Sequence, residues 1–275
     1  MQIHLQYYLI RFCLLLFLFL VNTVDAAKDI RYALVIGNAS YATAPLANPL
    51  NDAQDISEKL KQLNFEVDLY LDIEKNNIAN VITSFYGKID NRDAVSVLYY
   101  AGHAIQSNNI NYLIPVNANI TGLESLDNEA YGFNQLLGNM QKARSRTNIV
   151  ILDSCRNNPF TAQKSGEKNS AAFANSSTSN SGLAPIDAPP GTLIAYATEP
   201  GKVAKDGAGR NGTYTKYLLK YLDQPVGIEK MFKTVRAAVM LETGNRQVPW
   251  EHSSLYRDFL FKRDEASEVP NIPSF

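Results

Sequence analysis

The sequence predicts an α/β fold in which helices flank a mostly parallel central sheet. Short apolar runs rich in β-branched and aromatic residues recur along the chain, and segments with apolar residues at helical spacing separate them. Strands that alternate with helices in this way form parallel sheets covered on both faces. Of the 275 residues, 45% are hydrophobic and 19% are charged, which is ample for a large hydrophobic core.

The order of the elements supports this fold class. Strands are predicted at 31–36, 65–71, 94–100, 148–153 and 192–197, with a short extended piece at 111–116 and a last strand at 258–261. Helices are predicted at 52–63, 77–89, 133–144, 214–222 and 228–242. Residues 161–190 are rich in Ser, Asn, Ala and Pro without apolar periodicity, and they are predicted to form an exposed, mobile loop.

Residues 1–26 have the pattern of a secretory signal peptide. A weakly positive start with His4 and Arg11 precedes the apolar run 12–21, and small residues follow at Val24 and Ala26. We therefore expect cleavage, export to the periplasm or beyond the cell, and no stable membrane insertion afterwards. The alternative is an uncleaved N-terminal anchor. Residues 27–262 are predicted to form the folded domain, and 263–275 a disordered tail.

Charge and cysteine content exclude several classes of function. Lys and Arg total 26 against 27 Asp and Glu, so bulk positive charge for nucleic-acid binding is lacking, and we expect no nucleic-acid partner. The two cysteines, Cys13 and Cys155, exclude a disulfide-rich scaffold. Signal cleavage would leave Cys155 as a single thiol, which is either an inert buried residue or a nucleophile.

Chemistry-bearing residues follow three of the predicted strands. His103 comes just after strand 94–100, Cys155 comes just after strand 148–153, and Asp52 opens the helix after the first strand. Because the carboxyl ends of parallel strands meet at one edge of a sheet, we expect these side chains to share that edge. The other histidine beyond the signal segment, His252, follows no predicted strand, so His103 is the better candidate base.

The surroundings of Cys155 favour a nucleophile. A bare cysteine is more often a small core residue, but this one lies in Asp153-Ser154-Cys155-Arg156-Asn157, a polar stretch. A nearby imidazole would convert the thiol into the reactive thiolate. The backbone N–H of Cys155 and one from the Gly102–Ala104 turn, for which we take Ala104, are candidates for holding a developing oxyanion.

These motifs together resemble the caspase-like cysteine peptidases, in particular the bacterial caspase and metacaspase group. The resemblance covers nearly all of the chain after the signal segment and rests on RYALVIGNASY, NDA, YYAGH, NYLIPV and ILDSCRNNPF, with support from GTLIAYATEPG and DGAGRNGTYTKYLL. It implies a caspase-like three-layer sandwich and a protein or peptide substrate. It also implies that His103 is the general base and Cys155 the nucleophile of peptide hydrolysis.

The same resemblance implies a specificity pocket. In metacaspase-like members, the Asp of the NDA segment and an Asp two residues before the cysteine line it, and here these are Asp52 and Asp153. Two carboxylates would attract Arg or Lys before the scissile bond. The alternative is that Asp52 has a structural role only, as an acidic residue in the first turn of a helix, where the helix dipole favours it.

Two further features bear on activity. Relatives have glycine where this chain has Ala104, and this difference favours the alternative of a catalytically impaired binding or scaffolding module. The resemblance also implies self-processing in the 161–190 segment, at Lys164 or Lys168 rather than after Ser181, and the alternative is that the segment stays intact.

The chain contains one nucleotide-binding pattern. Residues 207–212 match G-x-G-x-x-G, but no strand leads directly into them, so a flexible loop is predicted and a nucleotide-binding enzyme is the weaker alternative. After the signal segment, one thiol and two scattered histidines provide no zinc-ligand spacing, and we see no acidic loop that specifies a calcium site. We therefore expect neither a metal nor a cofactor.

Overall fold

The computed structural model describes residues 30–89, 93–155, 183, 186, 188–199 and 209–263. The predicted signal peptide and the tail from 264 lie outside the described residues, as do Lys164 and Lys168, so these predictions stay predictions. Within the described part of the chain, no helix is both long enough and apolar enough to cross a bilayer.

The core of the fold is a sheet with eight strands among the described residues, and six of them follow one another in the order β2-β1-β3-β6-β7-β8. These strands are β1 (Ile30–Gly37), β2 (Glu66–Leu71), β3 (Ala94–Ser107), β6 (Thr147–Cys155), β7 (Thr192–Tyr196) and β8 (Trp250–Ser253). All neighbouring pairs run parallel except β7 and β8, which are antiparallel. The mostly parallel sheet that the sequence predicts is therefore confirmed.

Helices cover both faces of this sheet. They are α1 (Pro49–Gln62), α2 (Lys75–Ile89), a short α3 (Leu126–Glu129) after a 3₁₀ turn at Leu123–Ser125, α4 (Phe133–Ala143), α5 (Thr213–Tyr221) and α6 (Ile228–Thr243). Because successive strand side chains point to opposite faces of the sheet, the core consists of two layers. Helices α1, α5 and α6 pack on one face, and α2 and α4 pack on the other. The result is the three-layer sandwich expected from the sequence.

Strand β3 extends well beyond its predicted end. It continues through His103 and turns at Asn108 and Asn109, whose φ values of 48° and 63° make a two-residue hairpin with β4 (Ile110–Leu113). Strand β4 then pairs with the short β5 (Tyr131–Gly132). Because β3 rises past the edge of the main sheet, His103 lies inside a strand and not after it.

One predicted strand is absent from the structure. Residues 258–261 form no strand; Phe259 and Phe261 are buried against the α1 face of the core, and Arg31 donates hydrogen bonds to the carbonyls of Leu260 and Phe261. The antiparallel edge strand is β8 instead. Most of the predicted exposed loop at 161–190 lies outside the described residues, so that prediction stays a prediction. Of its described residues, Leu183 is 2% exposed and packs against the α2 face.

Candidate active site at the carboxyl edge of the sheet

The two proposed catalytic residues occupy paired positions in neighbouring strands. In the parallel β3–β6 ladder, His103 lies directly opposite Cys155, which is the last residue of β6. Fifty-two positions separate the two residues in the sequence, and only the sheet register brings their backbones to adjacent strands. The prediction that they share one edge of the sheet agrees with this register.

Contacts with Ala44 and Tyr41 hold the imidazole of His103. It is 4% exposed, its Nε2 lies 2.7 Å from the carbonyl oxygen of Ala44, and its ring centroid lies 4.4 Å from that of Tyr41. A carbonyl oxygen only accepts hydrogen bonds, so Nε2 carries the proton and, in the neutral ring, Nδ1 carries the lone pair. Ala44 adopts the left-handed region at φ 57°, which directs its carbonyl to the ring.

Buried tyrosine hydroxyls fix the backbone around His103. Its N–H donates to Tyr41 Oη at 2.9 Å, and Tyr41 Oη donates to the carbonyl oxygen of Ile114 at 3.0 Å, so the hydroxyl bridges β3 and the chain after β4. Tyr100 Oη donates to the His103 carbonyl oxygen at 2.7 Å. Burial raises the pKa of Tyr41 to about 12, so this hydroxyl stays neutral and keeps its proton.

Gly102 leaves the space that this arrangement needs. Its φ is 154°, and a Cβ at this position would lie 2.7 Å from Tyr41 Oη and 2.9 Å from Tyr100 Oη. No other residue fits here without moving the two hydroxyls. Gly102 therefore allows the two tyrosine hydroxyls to approach the backbone and position His103.

The hairpin geometry determines where the Ala104 N–H points. In a two-residue hairpin the closing pair is hydrogen-bonded and bonded pairs alternate, and the N–H of Ile114 donates to the His103 carbonyl at 3.1 Å. The intervening Ala104–Leu113 pair is therefore not hydrogen-bonded, and the Ala104 N–H points away from β4. The Ala104 side chain is fully buried in the α2-face core, on the opposite side of the strand from His103.

The two predicted pocket carboxylates converge on one glycine. The N–H of Gly212 donates to Asp52 at 3.0 Å from Oδ1 and 3.3 Å from Oδ2. A Cβ on Gly212 would lie 3.2 Å from Asp52 Oδ2 and 3.6 Å from Asp153 Oδ2. The structure thus brings together two acidic side chains from α1 and β6, 101 positions apart in the chain.

A buried hydroxyl pair orients Asp153. Thr215 Oγ1 donates to Asp153 Oδ2 at 2.6 Å and lies 2.6 Å from Tyr99 Oη. Burial raises the pKa of Tyr99 well above its usual value, and the nearby charges of Asp153 and Asp52 raise it further. Tyr99 therefore stays protonated, so it can donate to Thr215, whose own proton goes to the carboxylate.

Sequence reasoning missed several residues that build this site. Tyr41 lies in the RYALVIGNASY motif, and its aromatic ring after a strand end was the available signal. Gly212 and Thr215 lie in the DGAGRNGTYTKYLL stretch, but that motif assigned neither residue a role, because their roles depend on how α5 docks. Ala44 acts through its carbonyl oxygen, which every residue has, so no sequence pattern distinguishes it.

Two other kinds of site find no support among the described residues. No group of three or more His, Cys, Asp and Glu residues in that part of the chain is arranged to hold a metal ion. In the glycine-rich pattern, residues 209–212 form an irregular segment, and its Gly212 N–H is bonded to a carboxylate. An N–H group committed to Asp52 is unsuited to binding phosphate.

Comparisons with known proteins agree with this architecture. The Caspase domain family matches residues 30–260. The mucosa-associated lymphoid tissue lymphoma translocation protein 1 of Homo sapiens and its homolog in Mus musculus are each 33% identical over 132 residues. That stretch is 47% of this chain but only 15% of either relative.

A solved structure extends the likeness to most of the fold. Caspase-1 from Spodoptera frugiperda superposes with a TM-score of 0.62 and 16% sequence identity, over 87% of this chain and 92% of that one. At this level of identity the match shows a shared fold. With the family match over most of its length, the chain belongs to the caspase-domain family of cysteine peptidases.

Proposed function

We propose that this protein is an endopeptidase that cleaves protein substrates after Arg or Lys, with Cys155 as nucleophile and His103 as general base. One observation carries the proposal: His103 and Cys155 are paired in adjacent strands at the same sheet edge where Asp52 and Asp153 converge. Family membership supports peptidase chemistry in general, and the specific residues and the preference are our inference.

In this proposal, His103 begins the reaction as a base. Because Nε2 donates to Ala44, Nδ1 accepts the proton of the Cys155 thiol. The thiolate attacks the carbonyl carbon of the scissile bond, and His103 then gives the proton to the leaving amine, which leaves a thioester on Cys155. A water that loses a proton to His103 hydrolyses the thioester, releases the carboxylate product and restores the thiol.

The oxyanion formed in each attack needs fixed donors. The Ala104 N–H points away from β4, and Cys155 lies across from His103 in the ladder, so the N–H groups of Ala104 and Cys155 are the proposed donors. Backbone donors held in a strand need no reorganisation as charge develops on the substrate oxygen. The methyl group of Ala104 is buried on the opposite side of the strand from His103, which supports an active peptidase over the alternative of an inactive binding module.

The carboxylates of Asp52 and Asp153 are the proposed source of specificity. Each already accepts a hydrogen bond from the protein, from Gly212 and Thr215 respectively, and these bonds fix the positions of the two carboxylates. Two negative charges at one position attract a guanidinium or ammonium group and repel an acidic one. A substrate with Asp before the scissile bond is therefore expected to be excluded.

Hydrolysis of peptide amides that end in Arg, Lys or Asp tests the proposal on the purified protein. Of these three peptides, we expect the ones with Arg or Lys to be cleaved and the one with Asp not to be cleaved. Cys155→Ala and His103→Ala should each lower kcat/KM by about a thousandfold or more, because both groups act in the same step.

Matched controls use neighbouring residues of the same types. Ser154 precedes Cys155 and is buried, and His252 is the exposed histidine on β8, so Ser154→Ala and His252→Ala should retain activity. Unchanged hydrolysis in Cys155→Ala, or faster cleavage after Asp than after Arg, would contradict the proposal.

A further inference from the structure

An ion pair joins helix α1 to residues 209–212, the pocket segment. Arg210 donates from Nε to Asp55 Oδ2 at 2.9 Å and from Nη2 to Asp55 Oδ1 at 2.8 Å. Two parallel bonds fix the direction of both side chains, which a single contact between exposed charges does not. The hydrogen bond from Arg210 lowers the pKa of Asp55, so the pair is ionised at neutral pH.

Two amide side chains extend this contact. Asn211 Nδ2 donates to Asp55 Oδ2 at 2.8 Å, and Asn51 Nδ2 donates to the carbonyl oxygen of Arg210 at 3.2 Å. Asn51 and Asp55 are one helical turn apart, so the pocket segment is bonded along the first turns of α1. The segment is thus held at several points and not by the ion pair alone.

Gly212 connects the segment held by the Asp55–Arg210 ion pair to the proposed specificity pocket. Its N–H is bonded to Asp52, which lies three residues before Asp55 on the same side of α1. Gly212 also directly precedes helix α5, whose first turns include Thr215, the residue that donates to Asp153. Both pocket carboxylates therefore depend on where the pocket segment lies against α1.

The position of Arg210 has a second consequence. Arg210 is the kind of side chain that the proposed pocket binds, and it lies beside the pocket with 59% of its side chain exposed. Asp55 holds its guanidinium by two hydrogen bonds at a separate carboxylate. Because Asp55 binds the guanidinium of Arg210, the carboxylates of Asp52 and Asp153 can bind a cationic side chain of the substrate instead.

We infer that the Asp55–Arg210 pair is a latch that determines substrate specificity by holding the pocket segment against α1. The inference rests on the proposed function, because it concerns the selectivity of that same pocket. Asp55 and Arg210 are positioning residues in this account, since neither touches the substrate or the reacting atoms. The latch is expected to affect binding of a basic side chain and to leave the chemical step unchanged.

The test compares Asp55→Asn, Arg210→Gln and the double variant on two peptides that differ only in Arg or a neutral Gln before the scissile bond. Each single variant should raise KM for the Arg peptide by about fivefold, with kcat within about twofold. The double variant should be no worse than either single variant, because the two residues act as one unit. Cleavage of the Gln peptide should stay unchanged.

A second readout separates the latch from the proposed catalysis. Titration calorimetry of the Arg peptide with Cys155→Ala, with and without Arg210→Gln, measures binding where no hydrolysis occurs, and Arg210→Gln should weaken it about fivefold. Lys59, on the same helix as Asp55 but away from the pocket, forms an ion pair at 2.9 Å with Asp223, which follows α5. Lys59→Gln is therefore the matched control and should leave KM unchanged.

The outcomes are distinguishable. Equal loss on the Arg and Gln peptides would show a merely structural contact and would overturn the latch. Cleavage after Arg with unchanged KM and binding in the latch variants would overturn the latch and leave the proposed function standing. A protein that neither cleaves nor binds the Arg peptide would overturn the proposed function and the latch together.

Discussion

The two sides of the candidate site are built differently. On the histidine side, buried hydroxyl and carbonyl groups of Tyr41, Tyr100 and Ala44 hold His103 from within the core. On the carboxylate side, Asp52 is held by a backbone N–H of the pocket segment, and a partly exposed ion pair holds that segment in turn. One side is anchored by the sheet, and the other by a surface segment.

This difference matches the two tasks proposed for the site, proton transfer on the histidine side and substrate selection on the carboxylate side. A general base must stay within hydrogen-bond reach of the proton that it accepts, so small displacements are costly to the rate. Charge attraction between a carboxylate pair and a basic side chain falls off gradually with distance. We therefore expect changes on the histidine side to reduce folding stability and kcat together, and changes on the carboxylate side to alter selectivity.

The largest effect is expected from Gly102→Ala on the histidine side. The new methyl group would overlap the hydroxyls of Tyr41 and Tyr100, and the φ of 154° disfavours any L residue. We expect a loss of about 3 kcal/mol or more in the free energy of unfolding and near-complete loss of hydrolysis, measured by denaturant titration and peptide assay.

Gly138→Ala is the matched control, because a Cβ at this position in α4 meets no atom within 4 Å. An alanine in a helix interior favours the folded state, so this variant should be as stable as the wild type or more so. Equal stability of the Gly102 and Gly138 variants would mean that the histidine side is not rigid. The proposed difference between the histidine side and the carboxylate side would then be wrong.

An intermediate effect is expected from Asp52→Asn and Asp153→Asn. Each change removes one negative charge and keeps the size and an oxygen acceptor, so kcat/KM for an Arg peptide should fall by about 10- to 100-fold. Cleavage of a matched Gln peptide should fall less than threefold. The measurement is the ratio of the two rates in each variant.

Asp93→Asn controls for the loss of one negative charge. Asp93 lies just before β3, at the other end of the sheet, and its side chain is 71% exposed. Its variant should keep the wild-type ratio of Arg to Gln cleavage. If Asp52→Asn and Asp153→Asn behave like Asp93→Asn, the carboxylate side has no role in selectivity.

The smallest effect is expected from Thr215→Val, at the point where the carboxylate side is bonded to the core. Valine removes the hydroxyl between Tyr99 and Asp153, and we expect a two- to fivefold fall, roughly, in kcat/KM for the Arg peptide. Thr215→Ser retains the hydroxyl and should restore wild-type selectivity. A Thr215→Val variant with unchanged selectivity would show that Asp153 needs no orienting bond.

Strand patterning predicted the fold better than it predicted the details of the site. The strand positions placed His103 and Cys155 at one edge of the sheet, and the ladder puts the two residues opposite each other. The pattern failed at 258–261, where alternating apolar residues pack into the core beneath Arg31 without joining the sheet. Apolar alternation indicates burial, and burial alone does not specify pairing.

Residues that act through backbone groups or docking were beyond sequence reasoning. The carbonyl of Ala44 and the N–H of Gly212 carry no side-chain signature, and their partners are 59 and 160 positions away in the chain. The ion pair of Asp55 and Arg210 spans 155 positions between two segments that only tertiary packing brings together. Such contacts have no local period from which they could be derived.

The sequence by itself determined the layered α/β fold and the two neighbouring strands that carry His103 and Cys155, because apolar periodicity indicates which segments are buried. Only the tertiary structure decided which ring nitrogen of His103 carries the proton. It also decided that the side chains of Asp52 and Asp153 lie close together at Gly212. Those features depend on contacts between atoms far apart in the chain, and each contact exists only after the sheet and its helices have packed.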